Sequence, residues 1–196
     1  MLGYRFIWYE THAKRSHSHR EGRPVSQLDF VRVKEPERIA ELAIFAEDIF
    51  REYFSTLHGP EKVDYLVNHL LSIETLTTAI ADEGYEYYFV DDGDSAEHVG
   101  FIGIRPDDGF LYLSKLYLVK DARGKGLGRA EFEFVKQRAE ELGLERIRLT
   151  CARDNVASLD RYDHMGFKRI ACVNNDIGGG FEMNDYLMEY AFEDAS

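Results

Sequence analysis

Leu116-Tyr117-Leu118-Val119-Lys120-Asp121-Ala122-Arg123-Gly124-Lys125-Gly126-Leu127-Gly128 is the stretch on which the fold turns. An apolar strand runs into a glycine-rich turn, and the turn opens a helix. Backbone N–H groups at a helix start have no internal partner and sit at the positive end of the helix dipole. Glycines let an anion approach that backbone closely, so the arrangement suits a phosphate. Arg123 and Lys125 add fixed positive charge. A P-loop requires Lys and then Ser/Thr after the last glycine, but Arg129-Ala130 follow Gly128. A dinucleotide turn needs a small residue where Arg129 stands. A plain connecting loop stays open on this stretch alone.

Outward from the turn, the pattern of side chains predicts one element after another. Leu28, Phe30, Val31 and Val33 suggest a first strand, stopped by Pro36. Ile39, Leu42, Ala43, Phe45, Ala46, Ile49 and Phe50 follow at helical spacing. Gly59-Pro60 precedes a second helix around Val63 to Leu71, and Thr75 to Ala81 suggests a third, ended by Gly84. The aromatic run Tyr85 to Val90 reads as a strand, as do Val99 to Ile104 and Phe110 to Val119. Asp108-Gly109 marks a tight hairpin turn between the last two. After the glycine turn come a helix carrying Phe132, Phe134, Val135, Ala139 and Leu142, a strand Arg146 to Thr150, and a short helix Asn155 to His164. Strands at Phe167 to Val173 and Tyr186 to Tyr190 close the chain. The expected fold is α+β: early helices, an antiparallel meander, then one β-α-β unit in a mixed, twisted sheet.

A second motif gives the turn its meaning. Asn155-Val156-Ala157-Ser158-Leu159-Asp160-Arg161-Tyr162-Asp163-His164-Met165-Gly166-Phe167 follows the next strand. Here the sequence resembles the GNAT superfamily of acetyltransferases. Arg123-x-x-Gly126-x-Gly128 is similar to its pyrophosphate motif, and Asn155 through Phe167 to its Asn…Tyr…Gly-Phe motif. Leu113 to Tyr117 and Asp176 to Met188 are similar to a bacterial branch that includes polyamine N-acetyltransferases. The resemblance spans roughly residues 26–190 and makes 26–196 one acetyltransferase domain, with 1–25 as an N-terminal tail or extension.

The resemblance implies acetyl-CoA as acyl donor and a site to hold it. The backbone of Leu116, Tyr117 and Leu118 would pair with the pantetheine arm as an added strand would. Amides from Arg123, Gly124, Lys125, Gly126, Leu127, Gly128 and Arg129 would receive the pyrophosphate. Asn155 would hold the arm through its side-chain amide. The acceptor amine would attack the thioester directly, and Tyr162 would return a proton to the leaving thiolate. Many GNAT enzymes carry a Glu on the strand before the turn, acting as base through water. This strand has Tyr112, Ser114 and Lys115 and no acid, so the base is not identified.

Charge and composition narrow the partners. The formal net charge is −12 over 196 residues. Residues 1–25 carry five basic side chains (Arg5, Lys14, Arg15, Arg20, Arg23) against two acids (Glu10, Glu21), a balance of +3 that leaves −15 for the body. Such a body repels nucleic acid and favours small cations. No apolar run is long enough to cross a bilayer, and Met1 to Tyr9 lacks the marks of a signal peptide. Cys151 and Cys172 are read as reduced thiols in a cytoplasmic protein, Cys151 as a buried strand thiol and not a nucleophile. No metal site is expected: His12, His17 and His19 belong to a polar tail, and Asp91, Asp92 and Asp94 to a solvated turn. Three functions remain: an N-acetyltransferase for a small amine, an enzyme acting on protein lysines or N-termini, and a non-catalytic acyl-CoA-binding module. Asn155 and Tyr162 speak against the module. The acidic body and aromatic strands favour a small amine, with polyamines the class the branch suggests. A homo-oligomer is left open.

Overall fold

The computed structural model describes residues 28–192; the N-terminal tail 1–25 lies outside them. Strand β1 (Leu28–Val33) leads into helix α1 (Pro36–Phe54). Pro36 presets the first turn of α1, Glu37 follows at its positive end, and Arg51 stands in the last turn. Its inward stripe is Ile39, Leu42, Ala43, Ala46, Ile49 and Phe50, as the spacing predicts. Helix α2 (Pro60–Leu70) also begins on a proline, and α3 (Ile73–Ala81) is capped by Ser72, whose hydroxyl accepts from Thr75 N at 3.1 Å.

Strands β2 (Glu86–Asp92), β3 (His98–Asp107) and β4 (Phe110–Leu118) form the meander, and α4 (Leu127–Glu141) crosses to β5 (Arg146–Ala152). Helix α5 (Val156–His164) precedes the hairpin of β6 (Lys168–Gly178) and β7 (Phe181–Ala191). The seven strands run in the order β1-β2-β3-β4-β5-β7-β6. All neighbours pair antiparallel except β4 with β5, which are parallel. The turn at Asp108-Gly109 is where the sequence predicts it, with Gly109 at φ +77°.

Two layers cover the sheet, and β2 explains why its sequence lacks alternation. Tyr87 and Phe89 point into the cluster built by α1, α2 and α3, while Tyr88 and Val90 join the cluster under α4. A strand covered on both faces reads as a continuous apolar run. Phe89 and Phe101 are fully buried on the first face, Ile102 and Ile147 on the second. Each such side chain contributes about 1.5–3 kcal/mol by leaving water.

The last hairpin is longer than the sequence predicts. Strands expected at Phe167 to Val173 and Tyr186 to Tyr190 extend to Gly178 and back from Phe181. Most of β6 is solvent-exposed, so no apolar alternation marks its outer half. Gly178, Gly179 and Gly180, all at positive φ, make the turn, and the Tyr65 hydroxyl on α2 donates to Ile177 O. That contact folds the hairpin tip over the helical layer.

Candidate functional site

Strands β4 and β5 pair only at their first residues. The registered pairs are Leu111 with Ile147 and Tyr112 with Arg148, and no further pair joins these strands. Leu113 to Leu118 therefore part from β5. A register shift between Gly103 and Ile104 sets Lys115 opposite Gly103 and Leu113 opposite Ile104, which places an extra residue, Ser114, at the parting point. Beyond those pairs the two strands diverge and leave a V-shaped gap.

The gap opens into a cavity of about 660 Å³, within the range of small-molecule sites. Of the residues assigned from the sequence, Leu116, Tyr117, Leu118, Arg123, Gly124, Gly126, Gly128, Arg129, Asn155 and Tyr162 line it. Lys125 is exposed, and the Leu127 side chain is buried in the core, so neither side chain is part of the lining. Tyr117 stacks on Phe101 with centroids 5.4 Å apart.

At one end of the gap lies the glycine turn. Gly126 is the N-cap of α4 in the left-handed region, φ +83°, and no side chain caps that helix. A Cβ on Gly124 or Gly126 would meet nothing within 4 Å, so the backbone faces open space. Such a start presents amides to an anion. Arg123 plays a different part from the one its charge suggests. Its Nε donates to Leu118 O at 2.9 Å, its Nη2 pairs with Glu52 at 2.6 Å, and its guanidinium lies over the Tyr53 ring. It braces the turn against α1.

Asn155 caps α5, its Oδ1 accepting from Ser158 N at 3.3 Å and from the Tyr53 hydroxyl at 2.8 Å. The carbonyl end is committed, which leaves the NH2 end to meet a ligand. Tyr162 sits about two turns further along, half-buried, with its ring edge-on to Phe167 at 5.5 Å. Burial, reinforced by the neighbouring Cys151, pushes its hydroxyl well above the ordinary tyrosine range. At neutral pH it holds its proton and can donate it. Cys151 is a buried strand thiol, as expected, pushed up to about 12 by burial.

The sequence reading missed three buried acidic or basic groups of the lining. Glu131, on α4, is 1% exposed, and its Oε1 has no hydrogen-bond partner among the described residues. Burial pushes its carboxyl up to about 8. The signal was present: Glu131 interrupts an apolar stripe, four residues after Leu127 and four before Val135. Asp185, on β7, is 4% exposed with its Oδ1 unpartnered, and burial raises its carboxyl. Lys115 is 9% exposed; the sequence offers it only within the Leu113-to-Tyr117 resemblance and as a residue that is not an acid. Asp185 and Lys115 both lie in stretches that carry the branch resemblance, but no local signal marks their burial. No group of three or more His, Cys, Asp or Glu among the described residues is placed to hold a metal, and no helix among them is long and apolar enough to cross a membrane.

Comparison with known proteins adds an independent line. The model of the Acetyltransferase (GNAT) family matches residues 44–167, more than half of the chain. An uncharacterized N-acetyltransferase, YdgE of Bacillus subtilis (strain 168), is 27% identical over 146 residues, covering 64% of this chain and 92% of its own. PaiA N-acetyltransferase from Thermoplasma acidophilum, solved in complex with coenzyme A, superposes with a TM-score of 0.67 at 19% identity, over 85% of this chain and 99% of its own. Spermidine/spermine N-acetyltransferase SpeG from Vibrio cholerae gives 0.58 at 16% identity, over 85% and 93%. At these identities the two structures share the fold with this chain.

Proposed function

The chain belongs to the GNAT acetyltransferase family, and on that premise we propose that it transfers an acetyl group from acetyl-CoA to a small primary amine, with polyamines as the acceptor class. Acetyl-CoA supplies an activated thioester. The glycine turn, with open space before Gly124 and Gly126, fits its pyrophosphate, and the unpaired edge of Leu116 to Leu118 fits its amide-bearing arm. The Asn155 side-chain NH2 meets that arm at the mouth of α5. Tyr162 keeps its proton for the departing thiolate.

The acceptor enters from the α1–α2 side of the sheet, where the tip of the β6–β7 hairpin forms one wall. Asp185 carries the choice of amine. A nearly fully buried carboxylate without a hydrogen-bond partner is unfavourable by a few kcal/mol unless something fills its valence. An ammonium group does so. Glu83 stands on the same lining, and the tyrosines Tyr85, Tyr87 and Tyr112 offer aromatic faces to a cation. The similarity in fold to a spermidine/spermine acetyltransferase supports the same class.

The test has two parts. Acetyl-CoA should raise the melting temperature, because a ligand bound only by the folded state stabilises it. Spermidine, putrescine and neutral-tailed monoamines are then compared for CoA release. A protein whose melting acetyl-CoA leaves unmoved overturns the donor. One that binds acetyl-CoA but acetylates a lysine peptide far faster than any small amine overturns the acceptor.

A further inference from the structure

The acceptor half of the cavity contains a lysine seated as few lysines are. On β4, immediately before the edge of Leu116 to Leu118, Lys115 is 9% exposed, and its Nζ donates to the Ser114 hydroxyl at 2.9 Å. Among the described residues, its only side-chain partner is that hydroxyl, and no carboxylate pairs with it. The space for its stem comes from β3: a Cβ on Gly103 would stand 2.7 Å from Tyr87 Cε1 and 3.1 Å from Lys115 Cγ. The fold thus omits a side chain on one strand to admit an unpaired lysine from the next. Buried lysines without a counter-ion give up charge, and such neutral amines serve as bases.

We propose that Lys115 is the general base of the acyl transfer, its Nζ taking the proton shed by the acceptor nitrogen as that nitrogen bonds to the thioester carbonyl carbon. This rests on the acetyltransferase reading above. The acceptor reacts as the neutral amine. Its nitrogen turns acidic as the N–C bond forms, and the proton passes to Lys115. The C–S bond breaks, and the thiolate takes the Tyr162 hydroxyl proton. Lys115 as ammonium and Tyr162 as phenolate then reset through water, so the sum is amine plus thioester giving amide plus thiol.

The other titratable groups around this half of the cavity are less suited. Tyr87 on β2 and Tyr117 on β4 are pushed well up by burial and hold their protons. Asp185 lies on β7, beyond β5 from β4, and Glu131 is on the α4 side of the sheet. His69 near the end of α2 and Glu83 before β2 border the cavity from outside the sheet strands that part. Lys115 adjoins it. Burial alone lowers its ammonium to about 8, so the neutral form is present near physiological pH and grows as pH rises.

Two measurements test this. In the first, the fastest acceptor from the amine screen is used to compare the wild type with Lys115→Gln and Lys115→Arg. Both variants should lose at least about 10²-fold in kcat while binding acetyl-CoA and melting as the parent does. Retained activity in the arginine variant means that charge, not proton transfer, is the lysine's contribution, and overturns the proposal. Loss of acetyl-CoA affinity in step with kcat also overturns it. In the second, the folded wild type is labelled with acetic anhydride across pH, and Lys115 acetylation is read by mass spectrometry. The midpoint should fall near 8. A midpoint near the ordinary value of about 10.4 overturns the proposal even if no acceptor turns over, an outcome that separately overturns the amine reading.

Discussion

Replacing Glu131 by glutamine should flatten the dependence of stability on pH, by an amount the structure sets. The carboxyl is 1% exposed and unpartnered at Oε1, and burial moves it from 4.5 to about 8. In the unfolded chain it returns to its ordinary value. Between those two values the folded protein binds one more proton at this site than the unfolded chain does. Stability therefore falls as pH rises: the penalty is absent below the lower value, grows through the window and is complete above the upper one. At 1.36 kcal/mol per unit, the window from 4.5 to about 8 gives a ceiling of about 5 kcal/mol; water drawn into the cavity reduces it. Glutamine has nearly the same shape and no proton to lose. Its NH2 adds a cost of about 1–3 kcal/mol if unpaired, but that cost is constant with pH. The assay is guanidinium unfolding of both proteins from about pH 5 to about pH 9, with the difference in unfolding free energy plotted against pH. Contributions from the other acids cancel in that difference. The variant should gain on the parent with each unit up to about pH 8 and hold level above it. A flat difference would show Glu131 ionised in the folded state, and would refute the claim that it is buried without a partner.

Three further outcomes follow from the site. Gly126→Val places a branched side chain at φ +83° and into the space before the helix start; acetyl-CoA affinity by calorimetry should drop by more than about tenfold, beyond the roughly 1–2 kcal/mol of stability lost to backbone strain, and an unchanged affinity would put the pyrophosphate elsewhere. Tyr162→Phe should lower kcat by up to about 10²-fold with acetyl-CoA affinity intact; parental turnover would mean that another group protonates the thiolate. The kcat/KM for spermidine should fall steeply with salt while that of a monoamine stays nearly flat, and parallel curves would remove the acidic body and Asp185 from acceptor recognition.

Much of this architecture was legible because local chemistry and tertiary demand agreed. The stripe from Ile39 to Phe50, the aromatic run of β2 and the turn at Asp108-Gly109 each say one thing at both levels. The glycine turn and the Asn155-to-Phe167 segment carried the family resemblance, and the family match spans both. The outer half of the β6–β7 hairpin was not legible, since β6 is largely solvent-exposed and only isolated residues such as Ile177 and Met183 pack inward, too few to set an apolar rhythm. Nor was the burial of Lys115, for a different reason, while Glu131 shows in the sequence only as a break in the apolar stripe of α4. Each is a charged residue whose burial is decided on another strand: Gly103 leaves room for the stem of Lys115. A Cβ on Gly100 would stand 2.9 Å from Glu131 Oε1. The two glycines serve opposite faces of the same strand, a relation that appears only once β3 lies between the two layers.

The parting of β4 from β5 also divides the molecule mechanically. Only two residue pairs join the half-sheet β1–β4 to the half-sheet β5–β7, whereas β5 and β7 share seven. Widening the gap breaks few ladder bonds, so this seam is the softest direction in an otherwise stiff sheet. A ligand arm hydrogen-bonded along Leu116 to Leu118 and reaching Asn155 would act as a suture between the halves. Occupancy should then slow hydrogen exchange on both sides of the seam, in β5 as well as in β4, and make the enzyme more rigid when charged with donor than when spent.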